Sequence, residues 1–445
     1  MSKKRTKKIQ DYNATYSFLH RYVSFAFNQS YRKILHVGKE NIPQDGAIIF
    51  APNHTNTLMD ALVILAYNHG PKVFVARADI FKFPILAKIF TFMKIMPIMR
   101  QRDGYKAVKK NQDTIDRAVD VLKDKIPFCI FPEGTHQAKY SSLPLSKGIL
   151  KIAFQAHEQM PEVPLYIVPV GIRYGDFFRF RSTVRMEFGK PINVGAFIAE
   201  NDNLTPQEQM NSMRNLLAER LHATIFHIPN NEDYEATYEI CNAVEPYEIA
   251  ELLKDKSNQH MHSLEVQFQA NNRTLKRIEA WKESDPEKAR KLLELGKEAY
   301  KIRKKKGIDV ESASVKKPLV SRIGRILLTL ITLPYTLPVS VLSSPIAGIC
   351  QFIFTKLKDP AFRNSVRFVM NLVVWPLLVL IYAIIAFCLL PWQWALIVTL
   401  LIAPAPIVAH EAWKTVRLTI SDIKLMRAKK LQKIYAKIRE TIRNK

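Results

Sequence analysis

Apolar and polar positions fall into three regimes along the chain. From 46 to 194, short apolar runs alternate with segments of helical spacing. Residues 47–50 read as a buried strand ended by Pro52 and Asn53, 72–77 and 128–131 as further strands, and 104–125 and 146–160 as helices. Residues 164–170 read as another strand, and 184–188 alternate at period two. Such alternation predicts an α/β domain over 46–200, a mixed sheet with helices on its faces. From 201 to 318 charged helix formers dominate, with a helix start at Ser284-Asp285-Pro286, and this predicts a charged helical arm. Beyond 319, neither 326–355 nor 368–409 contains Asp, Glu, Lys or Arg, the pattern of membrane segments.

Within that last regime the prolines and basic flanks refine the expectation. Pro334, Pro338 and Pro345 interrupt the first apolar run, and Lys317 and Lys358 flank it on both sides. We expect a re-entrant hairpin over 319–357, two transmembrane helices over 368–410 joined at P-W-Q-W, and a basic amphipathic helix over 411–445. Positive residues stay on the cytoplasmic side, which puts the α/β domain on the cytoplasmic face of an integral membrane protein. At the amino terminus Lys3, Lys4, Arg5, Lys7 and Lys8 precede no apolar core, so a signal peptide is not expected. Tyr16, Phe18, Tyr22, Phe25 and Phe27 recur at helical spacing, which reads 1–45 as a basic amphipathic membrane-interface segment or a helix packed on the domain.

The chain has 445 residues and a formal net charge of +26, which implies an acidic partner. No aromatic platform or nucleic-acid motif accompanies the basic stretches, so anionic membrane lipid is expected and nucleic acid is not. Cys129, Cys241, Cys350 and Cys388 are scattered singly, giving neither a zinc site nor a disulfide framework.

Three loops of the α/β region carry candidate chemistry. In N-H-T-N-T-L-M-D, His54 follows a strand and Asp60 sits in the first turns of a helix, where a carboxylate can hold the far nitrogen of a general base. The loop M-P-I-M-R-Q-R-D-G carries Arg100 and Arg102, forked donors suited to phosphate. In F-P-E-G-T-H, Gly134 lets backbone approach a ligand and Glu133 can orient it; Lys147 stands at a following helix start. Ser141, Ser142 and Cys129 are in no nucleophile-elbow pattern. Each loop taken alone is equally what an ordinary solvated loop looks like.

Together these loops, followed by V-P-L-Y-I-V-P-V-G at 163–171, stand in the order of the four motifs of the glycerolipid acyltransferases, and residues 34–194 resemble that family. It includes glycerol-3-phosphate and 1-acylglycerol-3-phosphate acyltransferases. The resemblance implies His54 as base, Asp60 orienting it, and Arg100, Glu133, Gly134 and Thr135 binding the acceptor phosphate; Arg102, His136 and Lys147 are further substrate-binding candidates, and neither metal nor cofactor is expected. It implies acyl-CoA or acyl carrier protein as donor and a lysophospholipid or glycerol phosphate as acceptor, 1-acylglycerol-3-phosphate being favoured over glycerol-3-phosphate or a lyso-amino-acid lipid; the alternative of another class is a non-catalytic lipid-binding membrane protein that kept the fold. Two features depart from the usual family pattern. Five residues rather than four separate His54 from Asp60, and His136 stands where the family usually has arginine, which puts the acceptor in question.

Overall fold

The computed structural model describes residues 8–99, 111–314 and 319–443. The chain separates into two compact units, Met1–Ile225 with Leu357–Phe368, and Phe226–Lys356 with Val369–Lys445.

The first unit is built on one mixed sheet. Its strands are β1 (Tyr31–Val37), β2 (Ala47–Pro52), β3 (Val73–Arg77), β4 (Ile95–Ile98), β5 (Phe128–Cys129), β6 (Leu165–Tyr174), β7 (Ser182–Phe188) and β8 (Ile192–Asn193). Their order is β1-β7-β6-β2-β5-β3-β4, with β8 also on β6, and only the β6–β7 and β6–β8 pairs are antiparallel. β2 lies between β5 and β6 with every residue buried, which is why it reads as an unbroken apolar run. Helices α1 (Ala14–Ser30), α2 (Leu58–Ala66), α3 (Pro84–Phe92), α4 (Gln112–Lys123), α5 (Gly148–Gln159), α6 (Val194–Glu200) and α7 (Pro206–Thr224) complete this unit. The core under α4 and α5 joins Ile49, Val73, Leu122 and Phe128 to Ile149, Ile152 and Ile167.

Both expected boundaries of the α/β domain move outward. β1 pairs in parallel with β7, so 31–37 belongs to the sheet and not to a separate amino-terminal segment. α1 packs through His20, whose Nε2 lies 3.0 Å from the Leu65 carbonyl, and through Phe27 on Tyr31, while Phe18 and Phe25 on its other face are exposed. α7 was expected in the arm, but Met213 and Leu217 enter the core of the sheet. Gly171 on β6 makes room for the end of this helix: a Cβ there would meet the Thr224 carbonyl oxygen at 2.4 Å.

The second unit begins with α8 (Tyr234–Leu252), α9 (Ser263–Ser284), α10 (Pro286–Lys306) and α11 (Val310–Ser314). The Asp285 side chain caps α10 by accepting from the Lys288 N–H, as the Asp-Pro start foretold. After these come α12 (Leu319–Lys356), α13 (Phe362–Val369), α14 (Trp375–Leu389), α15 (Trp392–Ile402), α16 (Ala405–Arg427) and α17 (Lys429–Arg443); most of α13 belongs to the first unit. The arm has a core of its own. Leu431, Ile434, Ile438 and Ile442 of α17 are buried with Ile240 of α8 and Leu292 of α10. The apolar stripe read from sequence as facing lipid is thus spent on protein. Arg303 is buried against Glu239, which also accepts from the Tyr435 hydroxyl.

The membrane region also differs from expectation. Residues 319–357 form no hairpin; α12 runs as one helix through Pro334, Pro338 and Pro345. The carbonyl that Pro345 leaves without its helical donor is that of Val341, and the Ser344 hydroxyl donates to it at 2.7 Å. Among the described residues two helices, Ile323–Lys356 and Phe362–Leu389, are long and apolar enough to cross a membrane. The expected return helix is broken instead: α15 and α16 meet at a bend of 50° around Ala403 and Pro404.

Candidate active site

The site forms where β2 and β5 end. After Asn53, whose amide is held by the Ile172 backbone on β6, the chain turns through His54–Thr57 into α2. Thr57 closes this turn at φ 49°, a conformation rare for a β-branched residue. The turn folds the Thr55 and Asn56 N–H groups onto one carboxylate oxygen of Asp60, at 2.8 and 2.7 Å. His54 Nδ1 lies 2.8 Å from the same oxygen, and the Tyr174 hydroxyl donates to the other at 2.8 Å. Asp60 is fully buried, so these four hydrogen bonds replace the water it has lost. The carboxylate accepts, which assigns the proton of neutral His54 to Nδ1 and leaves Nε2 as the basic nitrogen. Phe131 stacks on the His54 ring at 4.2 Å and fixes its plane.

The F-P-E-G-T-H turn lies directly against this loop. The Gln137 N–H donates to the His54 carbonyl, and the His54 N–H donates to Glu133 Oε1 at 3.3 Å. Glu133 is 6% exposed, and its Oε2 has no partner among the described residues. Burial pushes its carboxyl up to about 8 against the pull of the His54 and Leu143 backbone N–H groups, so near neutrality it is largely protonated and able to donate. Gly134 takes φ 65°, with no atom within 4 Å of where a Cβ would stand. Thr135 and Lys147 are half-buried, Lys147 at the start of α5, and the Ser146 N–H donates to the Pro132 carbonyl, joining that segment to the turn. Among the described residues no hydrogen bond links Thr135 or Lys147 to His54 or Asp60. Arg100 and Arg102 lie outside the described residues.

His136 stands edge-on to His54, with ring centroids 5.4 Å apart. Its Nε2 is 2.8 Å from Asp359 Oδ2, and its ring meets Phe362 edge to face. Burial lowers the His136 pKa, and the hydrogen bond to Asp359 pulls it back up. Asp359 and Phe362 belong to Leu357–Phe368, which folds back onto the sheet unit. Neither was found from sequence, and neither was Tyr174. The stretch around 359 reads only as a basic flank of two apolar runs, and Tyr174 only as the end of a strand.

The profile of the acyltransferase family matches residues 33–173, which holds every described site residue up to β6. Residues 33–173 are an acyltransferase domain. Glycerol-3-phosphate O-acyltransferase 2 of Saccharomyces cerevisiae is 28% identical over 145 residues, 32% of this chain and 19% of the yeast enzyme. The 1-acyl-sn-glycerol-3-phosphate acyltransferase of Borreliella burgdorferi is 25% identical over 134 residues, 30% of this chain and 51% of that protein. The chain thus spans under a fifth of the yeast enzyme and about half of the bacterial one. A crystal structure of the 1-acyl-sn-glycerophosphate acyltransferase from Thermotoga maritima aligns over 47% of this chain and 78% of its own, at 22% identity and a TM-score of 0.34. The arm and the apolar helices lie outside the acyltransferase domain.

Proposed function

We propose that the chain is a membrane-associated O-acyltransferase that moves a fatty acyl group from a thioester, acyl-CoA or acyl carrier protein, to a hydroxyl of 1-acylglycerol-3-phosphate. The observation that carries this reading is His54 held through Nδ1 by the buried, fully hydrogen-bonded Asp60. In the reaction His54 Nε2 takes the proton of the acceptor hydroxyl. The oxygen forms a bond to the thioester carbonyl carbon, the carbon–sulfur bond breaks, and the thiolate leaves with the proton from His54. Asp60 stabilises the imidazolium between these steps. The Glu133 carboxyl, kept largely protonated by burial, is available to hydrogen-bond an oxygen of the acceptor. Arg100 and Thr135 are assigned to the acceptor phosphate by the family motifs they occupy, with Arg102, His136 and Lys147 as neighbouring groups that complete the site.

A second acceptor, glycerol-3-phosphate, is favoured by one observation: the 28% identity over 145 residues to the yeast glycerol-3-phosphate O-acyltransferase 2. Thiol release by the purified chain, measured with both acceptors, with a lysolipid lacking phosphate, and with each thioester carrier, decides between them. His54→Ala should lose at least about a hundredfold in turnover, because general-base assistance contributes roughly 10²–10⁴-fold. Near-normal turnover in that variant ends the enzyme reading.

Membrane attachment is assigned to the apolar helices, with the acyltransferase domain on the cytoplasmic face. The Trp375 indole N–H donates to the Ala403 carbonyl and closes α14 and α15 into a hairpin. At about 1.5 Å per residue the 28-residue helix over 362–389 that ends in α14 reaches roughly 42 Å, enough to cross the roughly 30 Å hydrocarbon core, and the bent pair α15–α16 forms the second leg. The helix over 362–389 is therefore assigned to cross the bilayer, with the turn at 391–394 on the far side and the bent α15–α16 pair returning.

A further inference from the structure

The segment between the two long apolar helices is built into the catalytic unit by more than one contact. Thr57 Oγ1 and Ser365 Oγ are 2.6 Å apart, at the turn that shapes the His54 loop. Arg367 donates to the Phe178 carbonyl at 2.6 Å. Asp359 divides its oxygens: Oδ1 accepts the Ala361 N–H at the start of α13, and Oδ2 accepts from His136 Nε2. One carboxylate thus holds the turn that leads into α13 and fixes the tilt of an imidazole beside His54.

We propose that Asp359 is a positioning residue of the acceptor subsite: by holding His136 through Nε2 it leaves Nδ1 to bind the acceptor phosphate, with His136 as a cation shared between carboxylate and phosphate. This rests on the acyltransferase reading and deepens it. The charge logic follows from the groups that face His136. Asp359 lies on one nitrogen, and the His54 ring lies against one edge with Asp60 behind it. Without an acceptor, burial disfavours the imidazolium. A bound phosphate supplies a second anion and draws a proton onto Nδ1, so binding takes up a proton and acceptor affinity falls as pH rises. Where arginine stands at this position the cation is permanent and no such dependence arises. The Asp359–His136 pair therefore makes acceptor recognition sensitive to pH, through a residue about two hundred positions beyond the last family motif.

The test is a set of steady-state profiles from pH 6 to 8.5 on the full chain in detergent, with the acceptor shown to be used and acyl-CoA as donor. Asp359→Asn keeps an acceptor for His136 but removes the charge. It should raise the acceptor KM about tenfold at pH 7, with kcat within about twofold and the donor KM unchanged, the split expected for lost acceptor binding. Asp359→Glu should recover most of the loss. His136→Arg should flatten the dependence of acceptor KM on pH. If the slope persists in His136→Arg, the titrating group is the phosphate itself and the proposal is overturned. It is equally overturned if Asp359→Asn leaves the acceptor KM unchanged, or lowers kcat and raises both KM values in parallel as a merely structural defect would. An inactive wild-type chain, or a wild-type chain acting only on acceptors without phosphate, overturns the function reading as well, and the wild-type profile alone separates these failures.

Discussion

Asp60→Asn isolates what the carboxylate does from what it holds. In the wild type one oxygen accepts His54 Nδ1–H and the Thr55 and Asn56 N–H groups, and the other accepts the Tyr174 hydroxyl. An asparagine in the same rotamer keeps its carbonyl oxygen toward the three nitrogens, and its NH2 donates to Tyr174 once that hydroxyl turns away. Every buried group keeps a partner and the chain folds. What is lost is the negative charge beside the imidazolium that forms as His54 takes the proton. We expect turnover to fall about 10²- to 10³-fold, or about 2.7–4 kcal/mol at about 1.36 kcal/mol per tenfold, with both KM values within about twofold. Asp60→Ala is different in kind. It orphans four donors at roughly 1–3 kcal/mol each, in sum comparable to the roughly 5–15 kcal/mol by which a domain is stable, so this variant should fail to accumulate.

The assay is thiol release from acyl-CoA in detergent, with circular dichroism confirming that Asp60→Asn is folded. His54→Ala combined with Asp60→Asn should be no slower than His54→Ala alone, because Asp60 acts only through that ring. A folded Asp60→Asn with near wild-type turnover, or a double variant slower by the product of the single effects, would refute the reasoning.

Three other outcomes follow from the same geometry. The Glu133 carboxyl has a folded pKa raised from 4.5 to about 8, so its protonated form stabilises the fold fully below about pH 4.5 and that contribution is lost as pH rises through 8; Glu133→Gln should flatten the fall of the melting temperature between pH 5 and 8. Glu239→Ala leaves Arg303 buried without its carboxylate and should cost the arm roughly 3–5 kcal/mol, read as earlier proteolysis within α8–α10, whereas unchanged cleavage would show that the pair contributes little. A cysteine at Gln393, at the turn between α14 and α15, should react with an impermeant thiol reagent only from the face of sealed vesicles opposite the acyltransferase domain; resistance from both faces would mean that the hairpin dips into the bilayer without crossing.

Much of the sheet was legible because its signal is local. β2 is apolar throughout since both its faces are covered, and the turn at Pro52-Asn53 is written in the residues that make it. The His54–Asp60 pairing was legible for the same reason: the two stand six positions apart, His54 on the loop that follows β2 and Asp60 in the first turn of α2. α7 was not, because most of its residues are polar and its buried stripe is narrow: Gln209, Met213, Leu217, Leu221 and Thr224, with a polar residue at each end. The prolines of α12 point locally to a broken helix, and a serine hydroxyl one residue before Pro345 offsets part of that preference.

The limit is clearest at residues whose role depends on distance along the chain. Tyr174 reaches Asp60 across 114 positions and Asp359 reaches His136 across 223, and no periodicity encodes either meeting. Yet departures from the family pattern marked the places where such partners were needed. A loop one residue longer between His54 and Asp60 has to dispose of an additional backbone turn; here Thr57 adopts φ 49° and Ser365 hydrogen-bonds its hydroxyl. A histidine in place of arginine needs a group to set its tautomer and support its charge, and Asp359 is that group. Both compensations come from Leu357–Phe368, the segment joining the apolar helices. A substitution within a motif was therefore a sign that residues outside the motif had been recruited to the site, and the physical requirement left open by the new residue indicated their chemistry: a hydrogen-bonding group for the turn and a carboxylate for the imidazole.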